Sequence, residues 1–181
     1  MPDLGPQMLL GRKTLSAGSP PYVIAEVGVN HEGSLAKAKE LIELAAEGGA
    51  DAAKFQSYTA DTLASRDSPA YWDLTAEPTL SQHELFGKYS SFGEGEYVEL
   101  AGHCGSFGID FLCTPFDDES VEFLEPLVPA YKVASADITN VPFLRRIALK
   151  GKPVILSTGA STLAEIDLAT DELKQGGCSE I

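Results

Sequence analysis

Cysteine, tryptophan and basic residues are scarce in this sequence of 181 residues. It holds three cysteines, one tryptophan, and 13 lysines and arginines against 27 aspartates and glutamates, for a formal net charge of -14. Three widely spaced cysteines without a C-x-x-C pair exclude a disulfide framework or a zinc knuckle and fit a reducing cytosol. The shortage of cations argues against nucleic acid or an anionic membrane as the main partner. An anionic ligand would have to be bound by a few local cations.

Long apolar runs are also missing. No stretch approaches the ~20 apolar residues of a membrane span, and the segment from Met1 to Pro6 has neither the basic nor the apolar part of a signal peptide. We therefore expect a cytoplasmic protein without a membrane partner. An apolar fraction of 44% with 22% charged residues is ordinary for a globular domain with a core of its own.

Apolar segments rich in β-branched residues alternate with segments of helical periodicity. Five such strand and helix units follow one another, with strands predicted at residues 23–29, 51–56, 110–116, 130–135 and 153–159. This alternation predicts a parallel α/β architecture, either an open doubly wound sheet or a TIM-type (β/α) barrel. No G-x-G-x-x-G or G-x-x-x-x-G-K-[ST] fingerprint follows a strand, which disfavours the nucleotide-binding open sheet. A closed barrel needs eight units and about 250 residues, so we expect an incomplete barrel.

The chain divides into a lead-in and one domain. Residues 1–20 are rich in glycine, proline and serine and predict a loosely held lead-in with room for one small strand, whereas residues 21–181 are expected to form the partial catalytic barrel. Residues 57–93 lack periodicity and are too long for a passive connection, which predicts a functional loop with short helical turns. A helix resumes near residue 94, with Val98 and Leu100 expected to face the core.

Three charged residues interrupt predicted apolar strands, namely Glu26, Lys54 and Lys132. Because burying an unpaired ammonium group is costly, each lysine must pair with a carboxylate such as Glu26, extend to solvent, or bind an anion. Two lysines at the same end of the sheet, in so acidic a protein, favour a site for phosphate or carboxylate. Glu26 also shares strand parity with Gly28 and Asn30, which predicts that the three line one face.

Uncharged polar side chains recur at the ends of the same strands. Gln56 ends the second predicted strand, and Thr114, Ser135 and Ser157 lie at or near the ends of the next three. Hydroxyl groups and exposed backbone N–H groups are suited to phosphate oxygens. Each residue taken singly could instead be a cap or turn residue. Their recurrence at one end of the sheet favours a binding role.

A carboxylate and an amide, Asp137 and Asn140, follow the fourth strand. They could contact sugar hydroxyls or transfer a proton, or they could form an Asx-type turn in which Asn140 caps the next helix. The three histidines, His31, His83 and His103, include no H-x-x-x-H pair, so we predict no metal site from this chain. We expect His83 and His103 to face the solvent.

Five blocks of this sequence together resemble the N-terminal barrel of the sialic acid synthase family. They follow the family's order over nearly the whole chain: Ile24-Ala-Glu-Val-Gly-Val-Asn-His-Glu-Gly33, Gly49-Ala-Asp-Ala-Ala-Lys-Phe-Gln56, Phe111-Leu-Cys-Thr-Pro-Phe-Asp117, Ala130-Tyr-Lys-Val-Ala-Ser135 and Lys152-Pro-Val-Ile-Leu-Ser-Thr-Gly159. Five blocks in order with matching spacing make the resemblance specific.

The resemblance implies an enzyme that uses phosphoenolpyruvate. The family condenses phosphoenolpyruvate with an N-acetylated hexosamine such as N-acetylmannosamine, breaks the C–O bond and releases phosphate, with Mn2+ or Mg2+. By the resemblance, Glu26 lies near the reacting carbons, and we assign catalytic roles to Glu26 and Asp137. Phosphoenolpyruvate would be held by Lys54, Thr114, Lys132, Ser135 and Ser157, and we add Gln56 and Asn140 as substrate-binding residues.

This sequence departs from the family pattern in two respects. The family reads Ser-Gly-Glu where this chain has Ser135-Ala136-Asp137, so the carboxylate that would contact the amino sugar is one methylene shorter. The family's metal-binding histidines come from later strands, and a small C-terminal antifreeze-like domain closes the site of the partner subunit. Both would lie beyond Ile181. We therefore expect this chain to lack the metal ligands and to belong to a homodimer when complete.

Two other functions compatible with these residues remain open. One is a different condensation of phosphoenolpyruvate with an aldose. The other is a truncated, non-catalytic relative that binds phosphoenolpyruvate or a partner subunit.

Overall fold

Five parallel strands in chain order form the centre of the molecule. The computed structural model describes residues 7–181, and the part of the predicted lead-in at residues 1–6 lies outside the described residues. The strands are β1 Met8–Leu10, β2 Lys13–Leu15, β3 Ile24–Gly28, β4 Ala52–Ser57, β5 Asp110–Pro115, β6 Tyr131–Val133 and β7 Val154–Leu156. Strands β6 and β7 are much shorter than predicted because the chain turns away soon after each apolar triplet.

Helices follow the parallel strands, as the sequence predicts. They are α1 Leu35–Glu47, α2 Ala60–Leu63, α3 Gln82–Tyr89, α4 Glu94–Ser106, α5 Asp118–Leu124, α6 Val141–Ala148 and α7 Leu163–Gln175, and a 3-10 turn lies at Ser135–Asp137. Helix α5 ends at Leu124, and Pro126, which has no backbone N–H group, cannot continue its hydrogen bonds.

The strand order confirms the parallel α/β architecture. Strands β3, β4 and β5 form one parallel sheet, β6 and β7 form a second, and β5 lies beside β6. Helices α1, α4 and α5 pack against the outer side of the first sheet. Within residues 7–181 the strands do not close into a barrel, so one side of the inner face stays open.

Helix starts depend on side-chain caps that are visible in the sequence. Ser34 accepts a hydrogen bond from the Lys37 N–H group at the start of α1, and Thr162 forms a capping box with Glu165 at the start of α7. Asp117 caps α5 by accepting a hydrogen bond of 2.8 Å from the backbone N–H group of Ser120. Each cap satisfies backbone N–H groups that have no partner within the first turn of its helix.

The outer faces of the strands and the inner faces of the helices make the main core. It is formed by alternate strand residues and by helix residues at helical spacing, among them Ala53, Phe55, Phe111, Cys113, Tyr131, Ile42, Leu100, Leu144 and Leu173. On α4, residues 97, 100 and 104 form the buried face. Val98 is 50% exposed because it lies beside that face, so the expectation that it faces the core is wrong.

Strands β1 and β2 pair as an antiparallel hairpin beneath the amino ends of the parallel strands. Leu10 of the hairpin is buried against Ala52, Leu112 and Ala130, which point inward from β4, β5 and the residue before β6. Residues 7–20 therefore contain two strands rather than one. They cover the amino end of the inner face, and its carboxyl end is left for polar residues.

Asp110 fixes this hairpin to the sheet. Its carboxylate accepts hydrogen bonds from the Arg12 N–H group at 3.1 Å and from the Tyr22 hydroxyl at 2.7 Å. Gly11 turns the hairpin with a φ of +54°, and a Cβ atom added there would lie 1.8 Å from Asp110 Oδ2. Only glycine suits a position that combines left-handed backbone with so close a contact.

The long connection after β4 contains α2 and α3 and begins at the carboxyl end of the sheet. Tyr58 is buried between the rings of Phe86 and Phe116, at centroid distances of 5.6 and 5.9 Å. The Thr62 hydroxyl donates a hydrogen bond of 2.8 Å to Asp117 Oδ2. The predicted short helical turns are present, and the connection is anchored beside β5.

Candidate functional site

Strand register brings the charged residues of β3 and β4 side by side. Glu26 of β3 pairs in register with Lys54 of β4, which pairs with Leu112 of β5. One step nearer the carboxyl end, Gln56 pairs with Thr114. Because side chains alternate along a strand, Lys54 and Gln56 share the inner face with Ala52. The inner face is therefore apolar near the hairpin and polar toward the strand ends.

Lys54 is buried, and its ammonium group forms an ion pair with Glu26. The Lys54 side chain is 10% exposed, whereas that of Glu26 is 53% exposed. Pairing compensates part of the cost of burying the ammonium group. The carboxylate side of the pair remains open to a ligand in the space above the sheet.

A β-bulge shapes this end of β3. The register shifts between Glu26 and Gly28, and Gly28 has a φ of +55°. A Cβ atom at Gly28 would lie 3.3 Å from Glu26 Oε1 and 3.5 Å from Gln56 Nε2, so the two side chains converge over the glycine. The bulge also breaks strand parity, which means that the predicted alignment of Glu26 with Asn30 is wrong. Asn30 lies in the exposed turn after β3.

Lys132 of β6 enters the same space. Its side chain is half-buried, and Nζ donates a hydrogen bond of 2.6 Å to the backbone carbonyl of Val133. Burial, and next the neighbouring charge of Lys54, lower the pKa of Lys132 to about 8, while Glu26 and Asp137 act in the opposite direction. Lys132, Lys54, Glu26 and Asp137 are therefore close enough to influence one another.

Asp137 lies in the 3-10 turn that follows β6. Its Oδ2 atom is buried and has no hydrogen-bond partner among residues 7–181. Burial raises the pKa of Asp137, and the charge of Lys132 partly opposes that shift. A buried carboxylate oxygen without a partner is costly and is available to a ligand.

The predicted hydroxyl groups lie at or shortly after the carboxyl ends of β5, β6 and β7. Thr114 is buried at the end of β5. Ser157 follows β7, and its N–H group donates a hydrogen bond of 3.1 Å to Val133 O, which continues the pairing of β7 with β6. The hydroxyl of Ser135 would lie 3.4 Å from a Cβ atom at Gly159. Ser135 and Gly159 share a cavity of about 360 Å³.

Asn140 has a structural role apart from the cluster. Its side chain accepts a hydrogen bond of 3.4 Å from the Phe143 N–H group and so caps α6. It borders a separate cavity of about 350 Å³ with Phe116, Asp117 and Arg146. The sequence left open whether Asn140 contacts a sugar or caps the next helix, and the structure shows the cap.

His31 has a position that sequence reasoning did not assign to any role. It is 2% exposed, and its ring stacks on Phe92 at a centroid distance of 4.2 Å. Its Nδ1 atom accepts a hydrogen bond of 3.1 Å from the Gly33 N–H group. Burial, and next the charge of Lys37, lower the pKa of His31. The sequence signal that could have indicated a buried, turn-forming histidine was a histidine directly after a strand with glycine two residues later.

The other two histidines are less exposed than expected. The side chains of His83 and His103 are 25% and 20% exposed, and each forms a hydrogen bond to a carboxylate, Asp61 at 2.9 Å and Glu43 at 3.1 Å. Both pairs lie on the helices rather than on the inner face of the sheet.

The described residues do not fit a metal ion. From residue 7 to residue 181 there is no group of three or more histidine, cysteine, aspartate or glutamate side chains that could hold one. Glu26 is engaged with Lys54, and Asp137 faces Lys132, so the two inner carboxylates are balanced by lysines instead. In the same part of the chain, no helix is long and apolar enough to cross a membrane.

Two lysines, two carboxylates and several hydroxyl groups at the carboxyl ends of parallel strands are typical of TIM-type (β/α) proteins that bind small anionic ligands. The sequence profile of the NeuB family matches residues 41–181. The chain belongs to the NeuB family.

Individual relatives agree with this assignment. The chain is 42% identical over 156 residues to N,N'-diacetyllegionaminic acid synthase of Legionella pneumophila, a match that covers 84% of this chain and 44% of that protein. It is 36% identical over 151 residues to human N-acetylneuraminate-9-phosphate synthase, covering 80% of this chain and 40% of the human protein. The chain thus spans less than half the length of these relatives.

Solved structures show the same fold. The N-acetylneuraminic acid synthetase of Leptospira borgpetersenii, in complex with citrate, superposes with a TM-score of 0.82 at 31% identity, covering 96% of this chain and 56% of that one. A truncated 3-deoxy-D-arabino-heptulosonate 7-phosphate synthase of Thermotoga maritima gives a TM-score of 0.69 at 14% identity, with coverage of 97% and 54%. The second likeness concerns the fold alone.

Proposed function

We propose that this chain is the phosphoenolpyruvate-binding part of a synthase that condenses phosphoenolpyruvate with an N-acetylated hexosamine to a nonulosonic acid and releases phosphate. The observation that carries the proposal is the presence of Lys54 and Lys132 in one inner space of the sheet. The names of the relatives as synthases of N-acetylneuraminate and legionaminate support it. The complex of the Leptospira protein with citrate, another small carboxylate, also agrees.

In this proposal the lysines bind the negative charges of the ligand. Lys54 and Lys132 contact its phosphate and carboxylate, and the hydroxyl groups of Thr114, Ser135 and Ser157 hydrogen-bond the remaining oxygens. Gln56 fixes the edge of the ligand beside Glu26. Because these groups lie on or shortly after the strands β4, β5, β6 and β7, the ligand would span the sheet near its carboxyl edge.

Glu26 and Asp137 act on the reacting atoms. As C3 of the ligand attacks the open-chain sugar aldehyde, positive charge develops at C2, which the Glu26 carboxylate stabilises while it orients the attacking water. Asp137 contacts the amino sugar through its buried oxygen. Asn140, which caps α6, would reach the sugar only at the border of the site.

The remaining parts of the proposal concern the whole protein. Residues 21–181 contribute five of the eight units of a catalytic barrel, preceded by the lead-in. The divalent metal of the family, Mn2+ or Mg2+, would polarise the aldehyde and would be held by parts of the whole protein other than residues 7–181. We place the protein in the cytoplasm as a homodimer, without nucleic acid or membrane as a partner.

Asp137 favours one alternative substrate. A carboxylate one methylene shorter than the glutamate of the family pattern leaves more room beside the sugar. A related condensation of phosphoenolpyruvate with a bulkier amino sugar or another aldose is therefore the second candidate. Phosphate release measured with several N-acetylated hexosamines and unmodified aldoses separates the two.

The test of the anion site is calorimetric titration of the protein with phosphoenolpyruvate. Lys54→Ala and Lys132→Ala should each weaken binding by about 2 kcal/mol or more, because each leaves ligand charge without its partner. Lys39→Ala is the matched control, since it also removes a lysine from an ion pair, with Glu99, but on the helices. Unchanged affinity in both inner variants would refute the proposed function.

A further inference from the structure

The inner cluster is electrically balanced without a ligand. Lys54 and Lys132 carry two positive charges, and Glu26 and Asp137 carry two negative charges when all four groups are ionised. The neighbouring strands β5 and β7 add Thr114 and Ser157, which do not titrate near neutral pH. An anionic ligand with phosphate and carboxylate groups would therefore enter a site whose net charge is zero.

Of the two inner lysines, Lys132 is the one whose positive charge is less stabilised by its neighbours. The Glu26 carboxylate forms its ion pair with Lys54, and the hydrogen bond described for Lys132 Nζ goes to an uncharged carbonyl, Val133 O, at 2.6 Å. Asp137 faces Lys132 from the 3-10 turn, but burial raises the pKa of that carboxyl as well. With the pKa of Lys132 lowered to about 8, its ammonium group loses a proton as the pH rises through that value.

The charge of the ligand would shift Lys132 back toward its protonated form. Phosphoenolpyruvate carries about three negative charges above pH 7, because the second pKa of a phosphate monoester is about 6 and that of a carboxyl about 4. Negative charge beside an ammonium group favours its protonated form. We propose that phosphoenolpyruvate and one proton bind together, with the proton taken up by Lys132. This inference rests on the proposed function, because it needs the anion to occupy the inner cluster.

The pH dependence follows from the direction of the shift. Below pH 8 Lys132 already holds its proton in the free protein, so binding changes little. Above pH 8 most of the free protein has lost the proton and must regain it, so the dissociation constant should rise about five- to sixfold from pH 8 to pH 9. Uptake per ligand bound should be about 0.1 proton at pH 7, about 0.5 at pH 8 and about 0.9 at pH 9.

Calorimetric titration with phosphoenolpyruvate at these three pH values, in pairs of buffers with different ionisation enthalpies, measures the uptake directly. Lys132→Arg keeps a cation that does not titrate in this range. It should abolish the uptake and flatten the affinity between pH 8 and 9. Lys132→Gln should also abolish the uptake, at lower affinity. Lys39→Arg, which changes a lysine of an ion pair on the helices, is the control and should keep the uptake.

The outcomes separate this inference from the proposed function. If wild type binds phosphoenolpyruvate without proton uptake at pH 9, the inference fails and the anion site stands. If uptake persists in both Lys132 variants, another group receives the proton and the inference is again overturned. If wild type binds no phosphoenolpyruvate at any of the three pH values, the proposed function and the inference fail together.

Discussion

At the scale of single residues, the ion pair of Glu26 with Lys54 has unequal halves. The lysine is buried, whereas the glutamate side chain is 53% exposed and reaches the open space. Because the ammonium group is buried, the pair mainly offsets the cost of removing that charge from water and adds little net stability. The arrangement instead gives the cluster an exposed carboxylate beside a fixed cation.

Glu26→Gln should separate binding from turnover. Removing one negative charge from the cluster leaves phosphoenolpyruvate affinity unchanged or higher, while the rate of phosphate release should fall about 100-fold because stabilisation at C2 is lost. Glu99→Gln is the control, since Glu99 is 52% exposed and also pairs with a lysine, Lys39, on the helices. Parallel titration and phosphate-release assays check both quantities, and normal turnover in Glu26→Gln would remove the proposed role.

The sequence identifies these charged residues but not their surroundings. Lys54 and Lys132 can be identified from the sequence because burying an ammonium group within an apolar strand is costly unless the charge is paired or binds a ligand. The bulge at Gly28 is not visible, since a glycine at a strand end is also an ordinary turn residue. Asn140 is a second example. An amide before a helix that contains proline could cap that helix or bind a substrate equally well. Only the structure shows that Asn140 accepts a hydrogen bond from the Phe143 N–H group.

At the scale of elements, the hairpin β1–β2 depends on contacts between residues distant in sequence. Asp110 belongs to β5, yet it binds Arg12 and Tyr22. Periodicity within a window cannot reveal such a contact, which is why the lead-in was expected to be loosely held. The alternation of strands and helices is a local pattern, and it predicted the parallel sheet correctly.

Gly11→Ala should destabilise the protein by about 2 kcal/mol or more, because it combines left-handed backbone with a Cβ atom that meets the Asp110 carboxylate. Gly18→Ala provides the control, since a Cβ atom there meets nothing within 4 Å. That variant should stay within about 0.5 kcal/mol of wild type. Urea denaturation measures both, and equal stabilities would show that the hairpin turn tolerates a side chain.

At the scale of the whole molecule, a net charge of -14 opposes the approach of an anion. The repulsion acts over the Debye length, about 30 Å at 0.01 M salt and about 8 Å at 0.15 M, whereas the lysine contacts act at short range. Salt therefore screens the repulsion more than the attraction.

The association rate constant for phosphoenolpyruvate should consequently rise about two- to threefold from 0.01 M to 0.15 M salt. In a basic protein the association rate constant for an anion falls as salt is added, because salt screens the attraction. Stopped-flow measurements at constant pH give the rate constants, with binding of an uncharged sugar as the reference. A fall in the rate constant would mean that the local field of Lys54 and Lys132 dominates over the whole surface.

The open sheet described above also affects how the chain behaves in solution. Within residues 7–181, β3 and β7 each have a neighbouring strand on one side only. On β7 the Val154 N–H group already donates a hydrogen bond of 2.9 Å to Glu180 O, whereas β3 offers its outer N–H and C=O groups to an extended peptide, and Val23 beside β3 is 47% exposed. Concentrated samples of this 181-residue chain alone will consequently tend to associate edge to edge and to aggregate, and a peptide that caps the edge of β3 should keep them dispersed.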